Sequence, residues 1–231
     1  IRKQIGYLYT FSVLESLTLA GAWVAILAAR GFSLMEISIT ETAYHIASLI
    51  FELPSGILAD LFGRKRMLLL SVAMRMLSNL AMIFSGSLAS VCLSVALTAV
   101  SDNFISGTGD ALAYDSLKSV GEEAEFARYE SNQLVIYRLC GGISTLCAGA
   151  ALLLGYKIVY FTSLVSAVVQ MAVLLGLKEV HIQQFRADAT LWERLNQCIR
   201  ESLSFLKAGK KPMALMFANS FVGALDVLLL F

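Results

Sequence analysis

Along this chain apolar residues neither alternate nor recur as a one-sided stripe; they run on for about 20 positions at a time between short polar breaks. Such runs predict helices near 5–29, 37–60, 65–86, 89–116, 132–154, 157–177 and 213–231. Each can span a membrane, because about 20 helical residues cover roughly 30 Å of hydrocarbon. The first run is too long for a signal peptide and lacks a cleavage-like end, so it counts as a span. The one long polar stretch is 178–212, where Leu191, Leu195, Ile199, Phe205 and Leu206 recur at near-helical spacing beside Arg194, Arg200 and Glu201. That pattern predicts an amphipathic helix on the membrane surface or against the bundle ends.

The expected fold is thus an all-α membrane protein. It has a six-helix bundle over 1–177, a cytoplasmic linker over 178–212, and a seventh helix over 213–231 that begins a second bundle. A chain with no initiator Met that ends at Phe231 inside an apolar run is expected to be part of a longer one.

Composition narrows the class. The 58% hydrophobic and 15% charged residues depart from the roughly 45–50% and 25% of soluble domains, and the mean hydropathy is +0.73. A net charge of +1 without a pooled basic face gives no reason to expect nucleic acid. Cys92, Cys140, Cys147 and Cys198 form no CxxC pair or metal-ligand spacing, so no disulfide framework, metal or cofactor is expected. No His/Asp cluster, Ser–His pairing or phosphate-binding loop suggests an enzyme.

Charge placement orients the spans. One set of loops carries Arg2, Lys3, Arg64, Lys65, Arg66, Lys118, Arg128 and the linker's Lys178, Arg186, Arg194, Arg200, Lys207, Lys210 and Lys211, while the other carries Arg30 and Lys157. Cytoplasmic loops collect Lys and Arg, so the N-terminus is expected inside a cell (inner) membrane. The alternative, a seven-helix receptor or sensor, would put the N-terminus outside, and the last run has no Lys for a retinal Schiff base.

Ionisable residues within spans are costly, so each is a candidate for function. Here they are Glu15, Glu52, Arg75, Asp102, Asp110, Arg138 and Asp226, with His45. At 1.5 Å per residue, Arg75 lies about 15 Å into its helix and Glu52 about 12 Å from the end of its own. Asp110 and Arg138 match at about 8–10 Å. The expected structural ion pairs are therefore Glu52 with Arg75 and Asp110 with Arg138, leaving Glu15, Asp102 and Asp226 without evident cationic partners. Lone His45 reads as packed and hydrogen-bonded. Tyr7, Tyr9, Trp23 and Tyr44 near span ends fit an interfacial aromatic belt.

The most informative stretch is ELPSGILADLFGRKR, residues 52–66. It ends a span, turns through Gly63 and delivers three consecutive cations to the cytoplasmic side. It resembles the signature loop of the major facilitator superfamily, G-x-L-x-D-x-x-G-R-K, matched by Gly56, Leu58, Asp60, Gly63, Arg64 and Lys65. The resemblance implies two six-helix bundles and alternating-access transport of a small molecule. It also implies a gate of Asp60, Gly63, Arg64, Lys65 and Asp115, the last from ALAYDSL at the end of helix 4. FISGTGDALAYDSL is similar to S-G-x-x-x-A-x-x-Y-D-S-L of bacterial efflux-type members.

Two motifs depart from the pattern. Asn103 precedes Gly107 where many proton-coupled members have Arg, and residues 140–150 lack the proline of the antiporter motif. Proton coupling is left to other residues. Helices 1, 4 and 7 line the cavity in this superfamily, which implies Glu15, Asp102, Asn103 and Asp226 as substrate or proton sites. An acidic cavity suits a cationic or drug-like substrate. A monomer in the bilayer is expected.

Overall fold

A computed structural model describes residues 1–180, except the side chains of Leu53 and Asp60, together with Glu193, Asn196, Gln197, Arg200, Ser204, Met213, Ala214, Phe217, Ala218, Phe221 and Val222. Compact units cover Ile1–Gln183 and Gln184–Phe231. The expected amphipathic helix and last span, with Asp226, lie wholly or largely outside the described residues.

Helices account for nearly all of the first unit: α1 (Arg2–Ser16), α2 (Trp23–Ala29), α3 (Leu34–Phe62), α4 (Arg64–Ile83), α5 (Leu88–Ile105), α6 (Thr108–Lys118), α7 (Phe126–Leu146), α8 (Ala148–Leu154) and α9 (Tyr156–Leu175). Short 3-10 turns at Leu19–Ala22 and Glu123–Glu125 join some of them. Local chemistry marks the ends. Ser33 and Glu36 form a reciprocal capping box at the start of α3, as do Ser87 and Ser90 at α5, each satisfying amides that an open helix end leaves bare. Gly107, at φ 69°, breaks the run of α5 into α6 in a left-handed conformation that costs glycine little.

Among the described residues, four stretches are long and apolar enough to cross a membrane: Arg2–Ala29, Arg64–Ile83, Leu88–Lys118 and Tyr156–Leu175. A fifth candidate is the pair Glu123–Leu146 and Ala148–Leu154, bent by 47°. The expected span near 37–60 is helical as part of α3, with Glu41, His45 and Glu52 set among its apolar residues. Large side chains still point outward, including Leu49 at 74% and Leu153 at 90% exposure. Such a surface suits lipid rather than water.

α5 packs between α3 and α4, α4 also lies along α9, and α1 rests on α7 and α9. Two apolar cores form at different levels. One gathers Leu8, Phe11, Leu68, Val72, Leu112 and Leu174. The other gathers Ile26, Leu27, Met82, Val91 and Val159. On α4 the stretch between Val72 and Met82 carries Arg75, Ser78 and Asn79, so a polar layer separates the cores.

Candidate functional site

The polar layer is built around Arg75. Its Nη2 donates to Glu15 Oε1 at 3.0 Å and Asp102 Oδ1 at 2.5 Å, while Nε donates to Ser101 Oγ at 3.2 Å. One guanidinium from α4 thus bridges a carboxylate on α1 and another on α5. Exposure is 26% for the Arg75 side chain, 25% for Glu15 and 35% for Asp102, so the cluster is neither sealed nor freely solvated. The Tyr44 hydroxyl donates to Asp102 Oδ2 at 2.8 Å, bringing in α3.

Several expectations change here. Arg75 pairs with Glu15 and Asp102, not with Glu52, which is exposed. α5 stands between α3 and α4 along much of their length, so equal depth on consecutive helices did not make Glu52 and Arg75 neighbours. Glu15 and Asp102, expected to lack cations, share this one. Asp110 and Arg138 are both exposed, and no ion pair joins them among the described residues. Asp110 sits in the first turn of α6, where the helix dipole favours an acid without a partner. Asn103 is buried, its Nδ2 donating to the Ser48 carbonyl at 2.8 Å and its Oδ1 accepting from Ser48 Oγ at 3.2 Å. Its amide therefore ties α5 to α3.

Tyr44 also leaves the expected aromatic belt for the cluster, whereas Tyr9 stacks on Tyr129 at 5.2 Å between centroids. His45 is exposed and faces Glu41, with Nε2 and Oε1 3.2 Å apart.

A second constellation forms where α3 turns into α4. Gly63 holds φ 91° and ψ 146°. Arg64 pairs with Asp115 on α6. Lys65 Nζ donates to the carbonyls of Leu175 at 2.9 Å and Leu177 at 2.6 Å, covering the open end of α9. The sequence offered no sign of Glu179, whose carboxylate accepts from the backbone amides of Arg64 at 2.9 Å and Lys65 at 3.0 Å. Gln4 completes the same end, donating to Ser116 Oγ at 2.8 Å and the Lys178 carbonyl at 2.9 Å, and accepting from the Lys178 amide at 3.0 Å. Asp60 is at the end of α3, with its side chain outside the described residues.

Apolar spans holding charged groups at mid-helix define a multi-pass membrane protein. The chain belongs to the Major Facilitator Superfamily, whose family model matches residues 5–231. It is 26% identical over 223 residues to an uncharacterised MFS-type transporter, YxaM, of Bacillus subtilis (strain 168), covering 92% of this chain and 53% of the relative. The chain therefore spans about half the length of that curated relative. Two crystal structures of a peptide transporter, POT, in complex with sulfate share the fold. TM-scores are 0.61 and 0.62, at 14% and 16% identity. The matches cover 94% and 98% of this chain, and 46% and 50% of theirs.

Proposed function

We propose that the full-length protein is a secondary active transporter that moves a small cationic or drug-like molecule across the cell membrane by alternating access. The observation that carries this reading is the Glu15–Arg75–Asp102 cluster between the two apolar cores. Charges at membrane depth are expensive and usually mark substrate or ion paths. Two carboxylates against one guanidinium leave a formal charge of one minus, which attracts a cation or a proton. Membership of the superfamily and likeness to an MFS-type transporter support the transport class.

In this reading residues 37–60 of α3 and the bent pair α7–α8 join the four apolar stretches as spans, and the N-terminus lies in the cytoplasm. The α3–α4 turn, with Asp60, Gly63, Arg64, Lys65 and Asp115, is the gate. The helices rock as bodies around the central cluster. The protein acts as a monomer in lipid, and protons drive it through the cluster's carboxylates.

The test is reconstitution of the full-length protein in vesicles with an imposed pH gradient, following ethidium and a panel of organic cations. Gradient-driven flux is expected, with Asp60→Asn slowing turnover and Glu15→Gln changing affinity or pH dependence. Flux equal to that of protein-free vesicles for every cation would reject the reading. Normal turnover in Asp60→Asn would remove the gate.

A further inference from the structure

The central cluster is asymmetric. Asp102 has both oxygens engaged, Oδ1 by Arg75 Nη2 at 2.5 Å and Oδ2 by the Tyr44 hydroxyl at 2.8 Å. Glu15 has only Oε1 engaged, at 3.0 Å from the same Nη2; Oε2 has no partner among the described residues. Arg75 Nε is bound to Ser101, the neighbour of Asp102 on α5. Arg75 and Asp102 are thus locked to one helix surface, and Glu15 is the outlying member.

The backbone at Glu15 points the same way. α1 ends one residue later at Ser16, and Leu17 is extended at φ −85° and ψ 90°. Glu15 therefore sits in the last turn of α1, where the carbonyl end of the helix carries partial negative charge and an acid is unfavourable unless a cation joins it. The broken end is held in place: the Leu14 carbonyl accepts from Ser166 of α9 at 3.1 Å, and the Ser16 carbonyl from Ser144 of α7 at 3.0 Å. A helix interrupted beside a charged cluster is a common form of ion and substrate site in transporters.

We infer that Glu15 is the exchanging carboxylate, taking either a proton or a substrate's cationic group at Oε2, and that Tyr44 is a positioning residue that keeps Asp102 on Arg75. This rests on the cluster being the transport site. When a proton from water adds to Glu15 Oε2, the carboxylate becomes a neutral acid, and the cluster passes from one minus to neutral. Arg75 and Asp102 remain a matched pair. Without the Tyr44 hydroxyl, Asp102 Oδ2 is released and both carboxylates compete for the proton. The charged and titratable groups facing Glu15 are Arg75 from α4 and Asp102 from α5, with Tyr44 of α3 behind Asp102. α7 and α9 meet this end of α1 through hydroxyls. His45, paired with Glu41, lies edge-on to the Tyr44 ring at 5.5 Å and is the other group to control for.

The experiment is an infrared-detected pH titration of the full-length protein in lipid vesicles, following the carboxylic C=O stretch. One titrating carboxyl is expected from the cluster. It should vanish in Glu15→Gln, survive His45→Gln, and move to lower pH in Asp102→Asn, where Arg75 serves Glu15 alone. Tyr44→Phe should add a second titration step without loss of helix content. Tetraphenylphosphonium should lower the Glu15 midpoint by competing with the proton. A carboxyl that survives Glu15→Gln and disappears in Asp102→Asn overturns the assignment of Glu15. An unchanged single step in Tyr44→Phe overturns the role of Tyr44, and a midpoint indifferent to the cation overturns the exchange. The titration needs no flux, so failure of the transport reading registers separately in the vesicle assay.

Discussion

Gly63 leaves open the space that the Glu179 carboxylate fills. A Cβ at residue 63 would stand 2.7 Å from Glu179 Oε2 and 3.2 Å from Oε1. The same carboxylate accepts the first amides of α4, from Arg64 and Lys65, where the helix dipole favours negative charge. Gly63 also occupies a region, φ 91° and ψ 146°, that is nearly reserved for glycine. Gly63→Ala is therefore expected to destabilise by about 1–3 kcal/mol, read as a lower unfolding temperature of the purified full-length protein. Pairing it with Glu179→Ala separates the causes. The carboxylate clash is then gone, so the double variant should lose less than the sum of the single ones. Strict additivity would show that Glu179 does not press on residue 63.

Removing the central guanidinium strands two carboxylates at once. Arg75→Leu is expected to cost about 3 kcal/mol, at the low end of the range for broken buried pairs because all three side chains keep a quarter or more of their exposure. Arg75→Lys keeps the charge but cannot reach Glu15, Asp102 and Ser101 from one nitrogen, so it should rescue only in part. Adding Glu15→Gln to Arg75→Leu should recover stability by removing one of the stranded charges. Thermal unfolding in detergent measures all three, and a double variant worse than Arg75→Leu would exclude this accounting.

Much of the helical layout was legible because an apolar run long enough to cross a bilayer has few soluble alternatives. The run at 157–177 meets α9, Tyr156–Leu175, and that at 65–86 meets α4, Arg64–Ile83. Contacts across helices were less accessible. Depth along a helix gives one coordinate, and the Glu52–Arg75 expectation failed on the other two, helix order and rotation. Tyr44 resembled a belt residue because its hydroxyl's partner, Asp102, is 58 positions away. Glu179 drew no expectation, because nothing local connects it to amides 115 and 114 positions earlier. Arg64 and Asp115 could be related in advance only through the loop motif and its resemblance.

Acidification should loosen the start of α3. The backbone amide and then the hydroxyl of Ser33 donate to the Glu36 carboxylate, each at 2.8 Å, and hold it below the usual glutamate range. A depressed folded-state value means that this contribution is present above the unfolded value and is lost as pH falls through the folded one. Amide exchange at Ser33 and Glu36 should therefore accelerate only below the ordinary carboxylate range. Glu36→Gln should remove that acid-dependent step, and a step that persists in the variant would assign it to another group.

The Arg64–Asp115 pair joins the signature turn to α6 and is more enclosed than an ordinary surface bridge. The side chains are 25% and 10% exposed, and Arg64 Nη1 meets the Asp115 carboxylate out of reach of solvent. Asp115→Asn should therefore destabilise more than loss of a surface pair, by about 3 kcal/mol, because the guanidinium is left enclosed without a counter-charge. Arg64→Gln strands Asp115 in the same way. If the two residues act chiefly on each other, Arg64→Gln with Asp115→Asn should cost less than the two singles added, by about 0.5–3 kcal/mol of coupling. Unfolding of the four proteins under one set of conditions completes the cycle. Transport by the double variant then separates stability from gating: a folded protein with slow turnover places the pair in the gate, while normal turnover confines it to holding the turn against α6.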